Sequence, residues 1–206
     1  MTETASSTDQ RAALYAWFAT LYARELSTKQ LQAWLDGAAE PLLSTLEEAG
    51  FATEIQDMRR ALDSLRVSSA AQLDLAADFT SSFLLDLHSC AAPYASCYQG
   101  DSPQLFGPAE KAMRHQLNAL GLGVDSQFAE AADHLALQLE LLSWLATARR
   151  ESEEATHIAS MLQWLPRFVS KAQHTPAQLP FYPALSRLLL QVLQELAAEE
   201  LPHADV

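Results

Sequence analysis

Leu14, Trp17, Phe18, Leu21 and Tyr22 recur at i, i+3, i+4, i+7 and i+8, which places five apolar side chains on one stripe of a helix over about Asp9 to Leu26. Ser27 or Thr28 can cap a following helix through Leu31, Trp34 and Leu35. Gly37 breaks that helix, and Pro41 can begin another through Leu42, Leu43 and Leu46 that ends at Gly50. Ile55, Met58, Ala61, Leu62 and Leu65 form the next stripe, and Leu73, Ala76, Ala77, Phe79, Thr80, Phe83 and Leu84 one after it. Between Asp86 and Pro103 the periodicity stops and His, Ser, Cys, Pro, Tyr, Gly and Asp dominate, which predicts a loop with at most a short helical turn.

The helical period resumes from Pro108 to Leu120 through Met113, Leu117 and Leu120, and Gly121-Leu122-Gly123 ends it. Leu135, Leu139, Leu142 and Leu145 form one further stripe. Ile158, Leu162, Leu165, Phe168 and Val169 form another, kinked at Pro166, and Leu185, Leu188, Leu189, Val192, Leu193 and Leu196 form the last, with Pro183 in its first turn. No segment alternates with a period of two. The expectation is an all-α protein of about eight helices in two lobes: residues 1–120 with the loop 86–103, a hinge at 121–132, and residues 133–206. Leu14, Trp17, Leu21 and the 185–196 stripe are assigned to the core.

Thirteen Lys and Arg against twenty-six Asp and Glu give a formal charge of −13, a field that repels phosphate-rich nucleic acid and anionic lipid. The same charge aids solubility and attracts a basic partner. The apolar stretches near 135–145 and 185–196 are too short or too interrupted to span a bilayer, and Met1 to Gln10 lacks the basic and apolar regions of a secretory signal, so a cytoplasmic protein is expected. Cys90 and Cys97 are too few and too local for a disulfide framework.

Catalytic signatures are missing: the chain has no Gly-x-Ser-x-Gly, no His-Glu-x-x-His, no dinucleotide fingerprint and no phosphate loop, since Gly100, Gly107 and Lys111 are wrongly spaced. His88, Cys90 and Cys97 lack the second ligand pair of a zinc site and read as a loop with buried thiols. Arg59-Arg60 and Arg149-Arg150 read as solvated helix faces. Asp133 can cap the helix that starts near Leu135, with His134 placed where the helix dipole disfavours its cation. A rival reading, a helical enzyme hydrolysing a nucleotide such as GTP with Asp133, His134 and Glu140, is weakened because residues six apart lie on different helix faces.

Pro93-Tyr94-Ala95-Ser96-Cys97-Tyr98 followed by Glu130-Ala131-Ala132-Asp133-His134-Leu135 resembles the paired motifs of the TorD/DmsD/NarJ molybdoenzyme chaperone family. Leu75 to Phe79, Gln163 to Pro166 and Phe181-Tyr182 extend the likeness over almost the whole chain. The resemblance implies a non-enzymatic cytoplasmic chaperone that binds the twin-arginine signal peptide and core of a molybdoenzyme, trimethylamine N-oxide reductase being the implied client. Such a chaperone assists molybdenum cofactor insertion and delays export. The residues it carries over for client binding are Pro93, Tyr94, Ser96, Tyr98, Glu130, Asp133 and His134. No metal or tightly bound cofactor is implied. Transient contact with GTP or the molybdenum cofactor rests on the resemblance alone. A homodimer formed by lobe exchange is expected because two glycines and no proline make the stretch 121–132 easy to extend, and the resemblance points the same way. Ala131 departs from the proline that the family often has beside the Asp-His pair, which leaves the linker less rigid.

Overall fold

The computed structural model describes residues 2–124 and 128–199, with side chains from Thr8 onward. Ten α-helices lie among them: α1 (Thr2–Ala23), α2 (Thr28–Leu35), α3 (Glu40–Glu48), α4 (Ala52–Arg66), α5 (Ala71–Phe79), α6 (Pro108–Ala119), α7 (Leu135–Thr147), α8 (Glu151–Leu162), α9 (Leu165–Ala172) and α10 (Phe181–Glu199). The described residues include no strand beyond an isolated antiparallel bridge, Tyr94 to His134. The all-α expectation holds, with more helices than the sequence suggested. Pro166 accounts for one of them: it lies in the first turn of α9, where a missing N–H costs nothing, so it separates α8 from α9 and does not kink one long helix.

Local chemistry sets most of the remaining boundaries. Ser27 caps α2 in a reciprocal box, its hydroxyl accepting from the Gln30 amide while Gln30 Oε1 accepts from the Ser27 amide at 3.0 Å. Gly37 and Gly50 take the left-handed φ values of 95° and 109° that end the turns after α2 and α3. Pro108 opens α6. α5 runs on into a π turn over Thr80–Leu84, and the buried face across both is Leu75, Asp78, Phe79, Ser82 and Phe83. This face is set by the inward Asp78 carboxylate, so Leu73 and Leu84, read from sequence as part of the apolar stripe, are exposed.

The described residues fall into two compact units, each gathered from separated stretches of chain. One comprises residues 2–23, 93–124, 128–167 and 196–199, and the other residues 24–92 and 168–195. The stretch 121–132, read as a hinge, lies in the first unit as far as it is described; residues 125–127 are outside the described residues.

In the first unit α1 packs along α7, tied by the Ser143 hydroxyl donating to the Ala12 carbonyl at 2.9 Å. Tyr15, Phe18, Ala19, Leu21 and Tyr22 are buried, whereas Leu14 and Trp17 are only half-buried. The buried face of α1 is thus turned toward Tyr15, because its hydroxyl must reach the buried carboxylate of Glu154, at 2.8 Å. Arg11 completes this cluster with its Nε 3.2 Å from the same carboxylate. Met113, Leu117, Ala132, Leu141 and Leu145 form an apolar cluster in the same unit.

The second unit is built on rings. Phe79, Phe83, Phe168, Phe181 and Tyr182 pack edge-on or stacked with centroids 5.0 to 6.1 Å apart. Asp78 holds the segment before α10 by accepting from the amides of Gln178 and Leu179 at 2.8 and 2.6 Å. Arg59 lies on α4 and pairs with Glu40 and Glu47. Arg149 and Arg150 are not within a helix but form the turn between α7 and α8, with Arg149 at φ 55°.

Phe18 is fully buried and Trp17 is not, so Phe18→Ala is expected to cost about 3 to 5 kcal/mol and Trp17→Ala clearly less. Urea denaturation of the two variants measures the order; the reverse order would show that α1 packs through its Trp17 face.

Candidate functional site

Two segments distant in sequence meet through backbone hydrogen bonds. The Leu135 amide donates to the Pro93 carbonyl at 2.7 Å and the Ala95 amide to the Asp133 carbonyl at 3.2 Å, so residues 93–95 pair antiparallel with residues 133–135. A 3-10 turn, Ala95–Tyr98, follows directly. This pairing joins the two motifs singled out in the sequence.

Asp133 adds a side-chain clamp. Its Oδ2 accepts from the Ser96 amide at 2.8 Å, and the Ser96 hydroxyl accepts from the Gly107 amide at 3.1 Å. A Cβ on Gly107 would lie 3.1 Å from the Ser96 side chain, so the close approach of the two chains needs glycine there. The helix cap expected of Asp133 belongs instead to His134, whose Nδ1 accepts from the Ala136 amide at 3.1 Å. Asp133 is drawn away from the amides of α7 because its carboxylate is engaged by Ser96.

His134 is buried against the edges of two rings, Tyr94 at 4.9 Å and Phe128 at 5.4 Å between centroids. Burial pushes its pKa down to about 4, against a smaller opposing pull from Glu130. A cap that accepts through Nδ1 also requires the neutral ring. The Tyr94 hydroxyl donates to Glu130, and burial together with that carboxylate raises the pKa of the phenol.

The seven residues predicted for the site divide by exposure. Glu130 is exposed and Tyr94 half-buried, so these two present polar groups to solvent. Pro93, Ser96, Tyr98, Asp133 and His134 are buried. Tyr98 stacks on Trp164 at 5.7 Å, and its carbonyl accepts from Arg167 at 2.9 Å. Glu140, part of the hydrolase alternative, is exposed on α7 while His134 is buried at its start. Cys90 and Cys97 are buried thiols that donate to the carbonyls of Leu85 and Gln104, and no group of three or more potential metal ligands occurs among the described residues.

Glu154 and His157 escaped the sequence reading. They occupy i and i+3 of the apolar stripe that continues at Ile158 and Met161, and polar residues on such a face were the available signal. His157 lines a cavity of about 70 Å3 together with Asp133, Gln138 and Trp164, and burial pushes its pKa down to about 4 as well.

The geometry defines an all-helical protein in which a turn is paired with the start of a helix. A family model described as nitrate reductase delta subunit matches residues 45–175. A protein named Chaperone protein TorD from Psychrobacter sp. (strain PRwf-1) is 34% identical, over 95% of this chain and 94% of its own length. The protein of the same name from Ferrimonas balearica is 37% identical over 88% and 86%, and that from Escherichia coli O8 34% identical over 93% and 96%. A solved structure from Archaeoglobus fulgidus, described as a redox enzyme maturation protein, shares the fold with a TM-score of 0.56 at 17% identity, covering 89% of this chain and 93% of that one. The chain belongs to the nitrate reductase delta subunit family, among its TorD chaperones. It is accordingly a chaperone and not an enzyme, which removes the hydrolase reading. No helix among the described residues is long and apolar enough to cross a membrane.

Both buried histidines have folded pKa values of about 4, below the ordinary value of 6.5. Between these values the unfolded chain takes up protons that the folded chain refuses. Stability is therefore full above about pH 6.5 and falls as the pH drops toward 4, by up to roughly 3 kcal/mol per ring. Urea midpoints measured across this range should show the decline, and His157→Gln should flatten it. An identical slope for wild type and variant would mean that His157 titrates normally.

Proposed function

We propose that this chaperone holds an immature molybdoenzyme, with trimethylamine N-oxide reductase as the first candidate, through the enzyme's twin-arginine signal peptide and core. Holding the precursor in the cytoplasm delays export until the molybdenum cofactor, which is cargo for the client, has been inserted. The observation that carries this reading is the paired segment: it presents the Tyr94 hydroxyl and the Glu130 carboxylate at the surface over a buried Asp133–His134 base. Carboxylates suit guanidinium groups, and the charge of −13 draws a basic peptide toward the protein. Tyr94 offers a ring for the apolar residues that follow the arginines.

A twin-arginine peptide is expected to bind with an affinity that weakens as salt rises. Asp133→Ala removes the acceptor of the Ser96 amide as well as a carboxylate, and should weaken the peptide about ten- to hundredfold. Calorimetric titration provides the check, and equal affinity for variant and wild type would exclude Asp133 from the site.

The same proposal includes a dimer formed by exchange of residues 133–206 about the stretch 121–132. α1 and α7 pack together in the first unit, so in the exchanged form α7 of one copy would make the same contacts on α1 of another. Because each copy carries −13, higher salt should favour the dimer. Light scattering across concentration and salt measures this; a single monomeric species throughout would defeat the exchange.

A further inference from the structure

Asp133 uses one carboxylate oxygen to clamp Ser96; the other, Oδ1, is buried and has no hydrogen-bond partner among the described residues. His157 Nε2 on α8 is in the same state. Both residues line the cavity of about 70 Å3, and both are more than nine-tenths buried. Buried polar atoms without partners are uncommon, and two of them on one cavity point to a ligand that satisfies both.

The chemistry of that ligand follows from the atoms. The His157 ring is held in its neutral form by burial and bonds the Gln138 backbone. Since Nε2 is the nitrogen without a partner, that bond falls to Nδ1–H, and Nε2 presents a lone pair. Asp133 Oδ1 is likewise an acceptor, so the complementary group must carry at least two donors. A carboxylate as one of the acceptors favours a cation. Trp164 adds an aromatic wall, which suits a planar cation over a compact, strongly hydrated ammonium. A water takes roughly 30 Å3, so the space fits about two waters or one planar three-nitrogen head group. Gln99, Ala112 and Ser160, which also line the cavity, are exposed and give it a mouth at the surface.

We propose that this cavity is an arginine-reading pocket in which a guanidinium of the client donates to Asp133 Oδ1 and His157 Nε2, making His157 a recognition residue. The assignment rests on the reading of the chain as a chaperone for an arginine-bearing segment and extends it to a residue outside both motifs. Lysine matches the contact poorly, because its donors diverge from a single strongly hydrated nitrogen and do not form the planar fork of a guanidinium.

The test uses full-length protein labelled with 15N-histidine and titrated with N-acetyl-arginine amide, with N-acetyl-lysine amide, and with a twin-arginine peptide. The arginine amide and the peptide should both move the His157 Nε2 resonance, and the lysine amide should move it far less. His157→Phe should weaken the twin-arginine peptide about tenfold and leave a twin-lysine version unaffected. Ser160→Trp, at the exposed mouth, should abolish the arginine response without lowering the melting temperature, which keeps the test valid if His157→Phe misfolds. A His157 resonance that ignores the arginine amide while the peptide still binds would overturn the pocket and leave a hydration site. A response to the arginine amide without any peptide binding would support the pocket and overturn the proposed function.

Discussion

The site depends on one carboxylate doing two things. Asp133 closes the antiparallel pairing of residues 93–95 with 133–135 by taking the Ser96 amide, and Ser96 in turn takes the Gly107 amide. Two stretches of chain, residues 93–96 and the start of α6 at Gly107, are thereby fixed to the start of α7. Without the carboxylate, a buried amide would be left unpaired at a cost of about 1 to 3 kcal/mol. The loop 86–103 would then be tied to α7 by backbone pairing alone.

This arrangement explains why the motifs combine buried and exposed members. Pro93, Ser96 and His134 shape the backbone from within, whereas Tyr94 and Glu130 face solvent and are bonded to each other. His134 serves the structure in a form that only a neutral ring allows, since its Nδ1 lone pair caps α7. A chaperone needs a surface that is preorganised and reversible, and a rigid buried base beneath a few exposed polar groups meets both needs.

The helices were largely legible because apolar periodicity, Ser27, Pro41, Pro108 and the glycines at 37 and 50 state their own boundaries. Four details were not. The buried face of α1 depends on where Glu154 sits, which no local pattern in α1 encodes. The buried face of α5 runs through Asp78, whose carboxylate takes two amides about a hundred residues away, so Leu73 and Leu84 were misplaced. The two motifs of the site were visible as types and spacing, but the exchange of capping roles between Asp133 and His134 required knowing that residue 96 lies alongside. His157 was hidden for the same reason: Asp133, which lines the same cavity, is distant in sequence.

Under the proposed function, an exposed carboxylate on this preorganised base contacts an arginine of the client. The most direct measurement is a double-mutant cycle pairing Glu130→Gln in the chaperone with arginine-to-glutamine changes in the bound peptide, read as dissociation constants at low salt. Contact predicts that the two changes are non-additive for one of the arginines, with a coupling energy of about 0.5 to 3 kcal/mol. Additive losses at every arginine would contradict the account and place the client elsewhere on the protein.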